Sequence, residues 1–149
     1  MHLISHRGNL EGPIPEKEND PDYLDQALAK DFDIELDIWN ERGNLFLGHD
    51  EPQYAIDLDW IKERIERSWF HAKNLSALDF LINLKLEKGL EPIFLWHQED
   101  DYSIVSNGYI WAYPGKKGNK RTIAVLPEIH NTPINNFAGV CSDYVMRYR

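Results

Sequence analysis

The sequence predicts an α/β fold, a compact or degenerate TIM-type (β/α)8 barrel in which several helices of the second half are lost. Three observations predict it. About eight short apolar runs read as strands, helical patterns separate the early ones, and titratable side chains gather where the runs end. At 149 residues the chain is short for such a barrel, which usually takes about 200 or more. Helices beyond the fifth strand are therefore expected to shrink to turns.

The elements follow in order. Leu3-Ile4-Ser5 runs into His6-Arg7-Gly8, a buried strand that ends by presenting an imidazole and a guanidinium, with Gly8 permitting a sharp exit. The Pro- and charge-rich stretch from Glu11 reads as a loop. Asp20-Pro21 supplies an N-cap and a proline at the first helical position, and Tyr23, Leu24, Ala27 and Leu28 keep helical spacing through Lys30. From Phe32 to Trp39 the chain alternates strictly. Phe32, Ile34, Leu36 and Ile38 share one face of a strand, and Asp33, Glu35 and Asp37 share the other. Arg42-Gly43-Asn44 turns the chain into Leu45-Phe46-Leu47, which ends at Gly48-His49-Asp50.

Asp57 and Asp59 open a helix running through Arg67, acids early and bases late, as the helix dipole favours. Ser68 to Asn74 is a short strand ending in His71-Ala72-Lys73. Asn74 or Ser76 caps a helix through Leu84 that Gly89 terminates. Pro92 to His97 is a further strand, delivered into Gln98-Glu99-Asp100-Asp101. Tyr109–Tyr113, Thr122–Leu126 and Gly139–Val145 complete the set, joined by loops without helical periodicity. No repeat, low-complexity tract or linker interrupts the chain, so residues 1–149 read as one domain.

Composition narrows the function. The chain is 42% hydrophobic and carries a net charge of −9, with its acids spread rather than blocked. Such a surface repels nucleic acid and anionic membranes. No apolar run reaches the roughly 18 residues of a membrane span, and a secretory pattern is missing from the first residues. Cys141 is the single cysteine and lies in an apolar run, which reads as core and fits a reducing cytoplasm. An anionic small molecule stays compatible with the acidic balance, because a divalent cation reverses the field inside one pocket. The sequence defines no oligomeric state.

Successive strand ends present His6 and Arg7, then Glu35 and Asp37, then His49, then His71 and Lys73, then His97. Two carboxylates two apart on a strand repel unless a cation lies between them, and oxygen ligands suit Mg²⁺ or Ca²⁺. The same stripe also fits the solvent-facing side of an amphipathic strand. Two histidines at strand ends can act as general acid and base, and each alone also fits a hydrogen-bonded structural role.

The order of His6-Arg7-Gly8, Pro15-Glu16-Lys17-Glu18-Asn19, Ala27-Leu28, Ile34-Glu35-Leu36-Asp37-Ile38 and His49-Asp50 resembles the glycerophosphodiester phosphodiesterase family over residues 3–50. Gly139 to Asp143 resembles that family's closing strand. The resemblance implies a TIM-type barrel that hydrolyses small phosphodiesters, such as glycerophosphodiesters, with Mg²⁺ or Ca²⁺. By position, His6 and His49 would be the acid–base pair, Glu35 and Asp37 metal ligands, and Arg7 and Lys73 phosphate contacts. Where the family has a third carboxylate ligand, this chain has His71. A nitrogen at that position tilts the site towards Mn²⁺ or Zn²⁺. A lyase releasing a cyclic phosphate and a phosphate-binding barrel without turnover are the competing functions. Outside the pattern, His97, Trp111, Glu128 and Asp143 are further pocket candidates, with Trp96 and Tyr113 as possible walls. Lys116, Lys117, Lys120 and Arg121 read as a solvated loop.

Overall fold

The apolar alternation of the long early strand sets the architecture. In the computed structural model, which describes residues 1–149, strand β1 (His2–His6) pairs in parallel with β2 (Asp33–Glu41) on one edge. β3 (Asn44–Leu47) and β4 (Tyr54–Ile56) form antiparallel strands off the outer half of β2. β5 (Ser68–Ala72) takes the other edge of β2 and is followed by β6 (Ile93–Leu95). β7 (Tyr102–Ile104) lies antiparallel to β8 (Ile110–Ala112). β9 (Thr122–Val125) and β10 (Gly139–Ser142) then lead back in parallel to β1. The parallel part therefore runs β8-β9-β10-β1-β2-β5-β6. Its two ends approach at Ser106, whose N–H donates to the Phe94 carbonyl at 2.9 Å and whose hydroxyl accepts the Phe94 N–H at 2.8 Å.

This is a curled mixed sheet of ten strands with three α-helices, a half-barrel, and it corrects the expected TIM-type barrel. The helices α1 (Pro21–Ala29), α2 (Leu58–Arg64) and α3 (Leu75–Lys88) all belong to the first half. Beyond β6 the parallel crossovers carry no α-helix. Residues 113–121 are rich in Gly and Lys and have no apolar face to lay against a sheet. Residues 126–138 contribute a single 3-10 turn, Pro127–Ile129. The outer surface of the second half is covered instead by Phe137 and its neighbours, packed on Ala112, Ala124 and Val140. β4 and β7, which the sequence did not announce, are three-residue antiparallel strands. No helix is long and apolar enough to cross a membrane.

The helix ends lie where capping chemistry places them. Asp20 accepts the N–H groups of Asp22 and Tyr23, Asp57 that of Trp60, and Asn74 that of Ala77. Two cores lie on opposite faces of the sheet. Leu24, Ala27, Ile61, Ala77 and Leu81 of the helices bury the outward residues Ile34, Leu36, Ile38 and Phe70. Inside the curl, Ile4, Trp69, Leu95, Trp111, Ile123 and Cys141 form an apolar plug. Truncating Trp69 or Phe70 to alanine is expected to cost about 3–5 kcal/mol. Everything polar on the inner face must lie at one end of that plug or the other.

Candidate active site

Strand parity sends Asp33, Glu35 and Asp37 to the inner face, Asp33 towards the amino ends and the other two towards the carboxyl ends. The carboxyl ends surround a cavity of about 370 Å³. His6 closes β1, and the backbone then turns abruptly: Arg7 has φ 54° and Gly8 φ 94°. A Cβ on Gly8 would stand 2.6 Å from a ring carbon of Tyr23, so glycine is required by both backbone and space. Arg7 is a non-glycine residue in the left-handed region, a conformation held by its surroundings: its carbonyl accepts the Asn19 N–H, and its own N–H donates to the Glu35 carbonyl. His49 arrives by the antiparallel return of β3, where the Gly48 N–H donates to the Asp37 carbonyl at 3.1 Å. A Cβ on Gly48 would stand 2.1 Å from the Glu51 carbonyl oxygen.

Glu35, Asp37 and His71 each bring one ligand-type atom into a group spanning no more than 4.8 Å. His71 Nδ1 lies 3.2 Å from Asp37 Oδ1 and 3.9 Å from Glu35 Oε1. Its other nitrogen, Nε2, is 2.7 Å from the His97 carbonyl oxygen. A carbonyl can only accept, so Nε2 carries the proton and Nδ1 faces the carboxylates. That face holds either a second proton or a lone pair directed at a cation. A ring N–H donated to a backbone carbonyl is the usual outer bond of a metal-ligating histidine. Glu35 Oε2 and Asp37 Oδ1 are buried without any hydrogen-bond partner. Asp37 Oδ1 has His71 Nδ1 at 3.2 Å and the Lys73 ammonium at 3.7 Å, whereas Glu35 Oε2 is the costlier of the two to leave without a partner. The donor set, two carboxylates and one imidazole, fits a divalent metal.

Around this centre most polar groups are matched. Arg7 Nε lies 3.1 Å from Asp37 Oδ2 as an ion pair without hydrogen-bond alignment. Its terminal nitrogen donates to Glu18 at 3.1 Å. The Asn19 side chain donates to Asp37 Oδ2 and accepts the Asp37 backbone N–H, each at 2.9 Å. Burial works to raise the Asp37 ionisation, but His71, Arg7 and Lys73 outweigh it and hold the carboxyl well below the usual range. Glu35 moves the opposite way, pushed up first by burial and then by Asp37 beside it.

His6 Nδ1 lies 2.7 Å from Asp143 Oδ1, which also accepts from Asn9 at 2.8 Å. The Asp143 carboxyl is held below its ordinary range, because His6, Asn9 and Arg7 outweigh its burial. It acts as an acceptor, so Nδ1 of His6 carries the proton and Nε2 is turned inwards, 3.9 Å from Glu35 Oε2. Burial lowers the His6 ionisation, and the bond to Asp143 with the Glu35 charge more than restores it, for a net rise. His49 repeats the arrangement at the mouth, Nδ1 at 2.7 Å from Asp50. Glu128 stands one step back, accepting the Ser142 hydroxyl and the Asp143 N–H.

The structure brings His6, Arg7, Glu35, His49, His71, His97 and Trp111 to the wall of one cavity. Asp37 is fully buried and does not line it, its Oδ1 lying 3.2 Å from His71 Nδ1. Lys73 is not on that wall; its ammonium is 3.7 Å from Asp37 Oδ1 and supports the carboxylate from behind. Asp143 and Glu128 serve His6 and the turn that carries Asp143, and do not line the cavity either. Tyr113 joins the wall, whereas Trp96 does not. Sequence reasoning assigned no role to Asn9, Glu18 and Asn19. Asn19 closes a segment singled out by resemblance, and its φ of 65° suits asparagine. Asn9 had no signal beyond following Gly8. Compared with protein-family models, with curated proteins and with solved structures, the chain matches none.

Proposed function

We propose that this chain is a metal-dependent phosphodiester hydrolase acting on a small diester. The observation that carries the reading is the trio Glu35, Asp37 and His71. Its unmatched carboxylate oxygens and inward-facing Nδ1 lie beside two histidines, each tethered to an aspartate. The resemblance of residues 3–50 to glycerophosphodiester phosphodiesterases supports the same reading.

A divalent cation held by Glu35, Asp37 and His71 would neutralise charge on the phosphate as the reaction proceeds. The imidazole donor favours Mn²⁺ or Zn²⁺ over Mg²⁺ or Ca²⁺. Arg7, fixed between Asp37 and Glu18, adds a second positive charge at the cavity wall. His6 and His49 move the protons. One takes a proton from the attacking water as the new P–O bond forms; the other gives a proton to the leaving alcohol oxygen as the old bond breaks. Asp143 holds the His6 ring in the tautomer that leaves Nε2 free, and Asp50 lies 2.7 Å from the corresponding Nδ1 of His49. The products are a phosphomonoester and an alcohol.

The test is turnover of bis-p-nitrophenyl phosphate with Mn²⁺, Zn²⁺ or Mg²⁺ and with EDTA. Metal-dependent turnover that falls about 10²-fold or more in His6→Ala and His49→Ala is expected. Absence of turnover in folded, metal-binding protein contradicts the reading.

A further inference from the structure

The cavity has two unlike walls. The hydrolysis just described uses one of them, built from His6, Arg7, Glu35, His49 and His71 and continued by His97, Gln98 and Glu99. Facing it are Trp111 and Tyr113 from the end of β8, Val125 and Leu126 from the end of β9, and Ile129 from the 3-10 turn. Tyr113 and Ile129 are exposed, at 38% and 58%. Large apolar side chains left in water around the mouth of a pocket mark a surface that a ligand covers. A glycerol or sugar hydroxyl laid on this wall would give up its water without gaining equivalent partners.

A second cleft adds the contrast. It shares Arg7 and His49 with the cavity and is completed by Pro15, Glu18, Asp50, Glu51 and Gln53, a predominantly polar and charged lining. Arg7 and His49 thus stand on the border between a polar cleft and a half-apolar cavity. A phosphate bound at that border has its two ester groups in opposite surroundings.

Resting on the phosphodiesterase reading, the geometry points to a mixed diester as substrate, with one ester group a short alkyl chain or an aromatic ring lying on the Trp111–Ile129 wall. The other ester group is polar and faces the Glu51–Gln53 side. A volume of about 370 Å³ limits the apolar group to a small one.

The experiment is calorimetric binding of methyl-, butyl- and hexylphosphonate to the metal-loaded full chain. It is repeated with Tyr113→Ser/Ile129→Ser and with Leu86→Ser, a control at an exposed position on α3. Each buried methylene is worth roughly fourfold in affinity. Hexylphosphonate is expected to bind at least about tenfold tighter than methylphosphonate to the wild type and the control, with most of that gain lost in the double variant. Affinity that does not change with chain length overturns the inference, as does an undiminished gain in the double variant. Turnover of bis-p-nitrophenyl phosphate, measured alongside, separates the two claims. Turnover with flat chain-length dependence sinks the apolar subsite alone. Chain-length dependence without turnover of any diester keeps the subsite and sinks the hydrolase. Failure of every phosphonate to bind overturns the apolar subsite, and the hydrolase then stands or falls on turnover alone.

Discussion

Asp33 and Glu35 are two residues apart on the same face of the same strand, yet they live in opposite electrostatic worlds. Asp33, at the amino end, accepts from Arg67 Nε at 3.2 Å and from the Trp69 indole at 3.3 Å, with His2 at 3.9 Å. Its burial raises its ionisation, but His2, Arg67 and Trp69 outweigh that and the net shift is downward. Glu35, at the carboxyl end, is 3% exposed and holds an oxygen with no partner, and burial pushes its ionisation up. The apolar plug of Ile4, Trp69 and Cys141 keeps the two clusters apart. One end of the half-barrel spends its charges on folding. At the other, Asp37 is offset by His71, Arg7 and Lys73, while Glu35 keeps an oxygen without a partner, at a cost to the fold.

The contrast can be broken by substitution. The largest effect is expected for Glu35→Gln. It should lower metal-dependent turnover by more than the roughly 10–100-fold typical of an outer partner. Urea unfolding of the metal-free protein should at the same time show unchanged or increased stability, because glutamine fixes the neutral form that burial favours. Asp143→Asn comes next. It loosens His6 without touching the ligand trio, so kcat should fall about 10- to 100-fold with KM little changed, and metal affinity, read by calorimetry, should persist. Glu128→Gln acts one bond further back, and steady-state kinetics should show a loss of less than about tenfold.

Asp33→Asn is the smallest in activity and the reverse in kind. It should leave turnover within about twofold and cost roughly 1–3 kcal/mol at pH 7. The folded ionisation of Asp33 lies below the unfolded value near 3.9. Its contribution is therefore complete above about pH 4 and is lost as pH falls through the folded value. The stability gap between wild type and Asp33→Asn, measured by urea unfolding, should close in acid.

What could be read from the chain was the part governed by short-range rules. The alternation from Phe32 to Ile38 placed Glu35 and Asp37 together on one face; Asp20, Asn74 and Gly89 bounded two helices; and eight of the ten strands were legible as apolar runs. The TIM-type closure was not legible, because it depended on what covers the second half. The loss of helices there was expected from chain length, but not that Phe137, a lone aromatic in a loop, covers the sheet in their place. β4 and β7 are too short to show a period. In the site, the candidate ligands were visible by strand parity, whereas Lys73's place behind Asp37 and the tether from His71 to the His97 carbonyl arise from contacts between distant strands.

Glu35, Asp37 and His71 at the carboxyl ends are proposed to hold a divalent cation. The most direct measurement is the thermal midpoint of wild type, Asp33→Asn and Glu35→Gln with and without Mn²⁺ or Zn²⁺. A cation at about 100 times its Kd adds roughly 2.7 kcal/mol of stability to a protein that binds it only when folded. A clear rise in midpoint is expected for wild type and Asp33→Asn and little or none for Glu35→Gln. An equal rise in all three, or none in any, would contradict the proposed cation site.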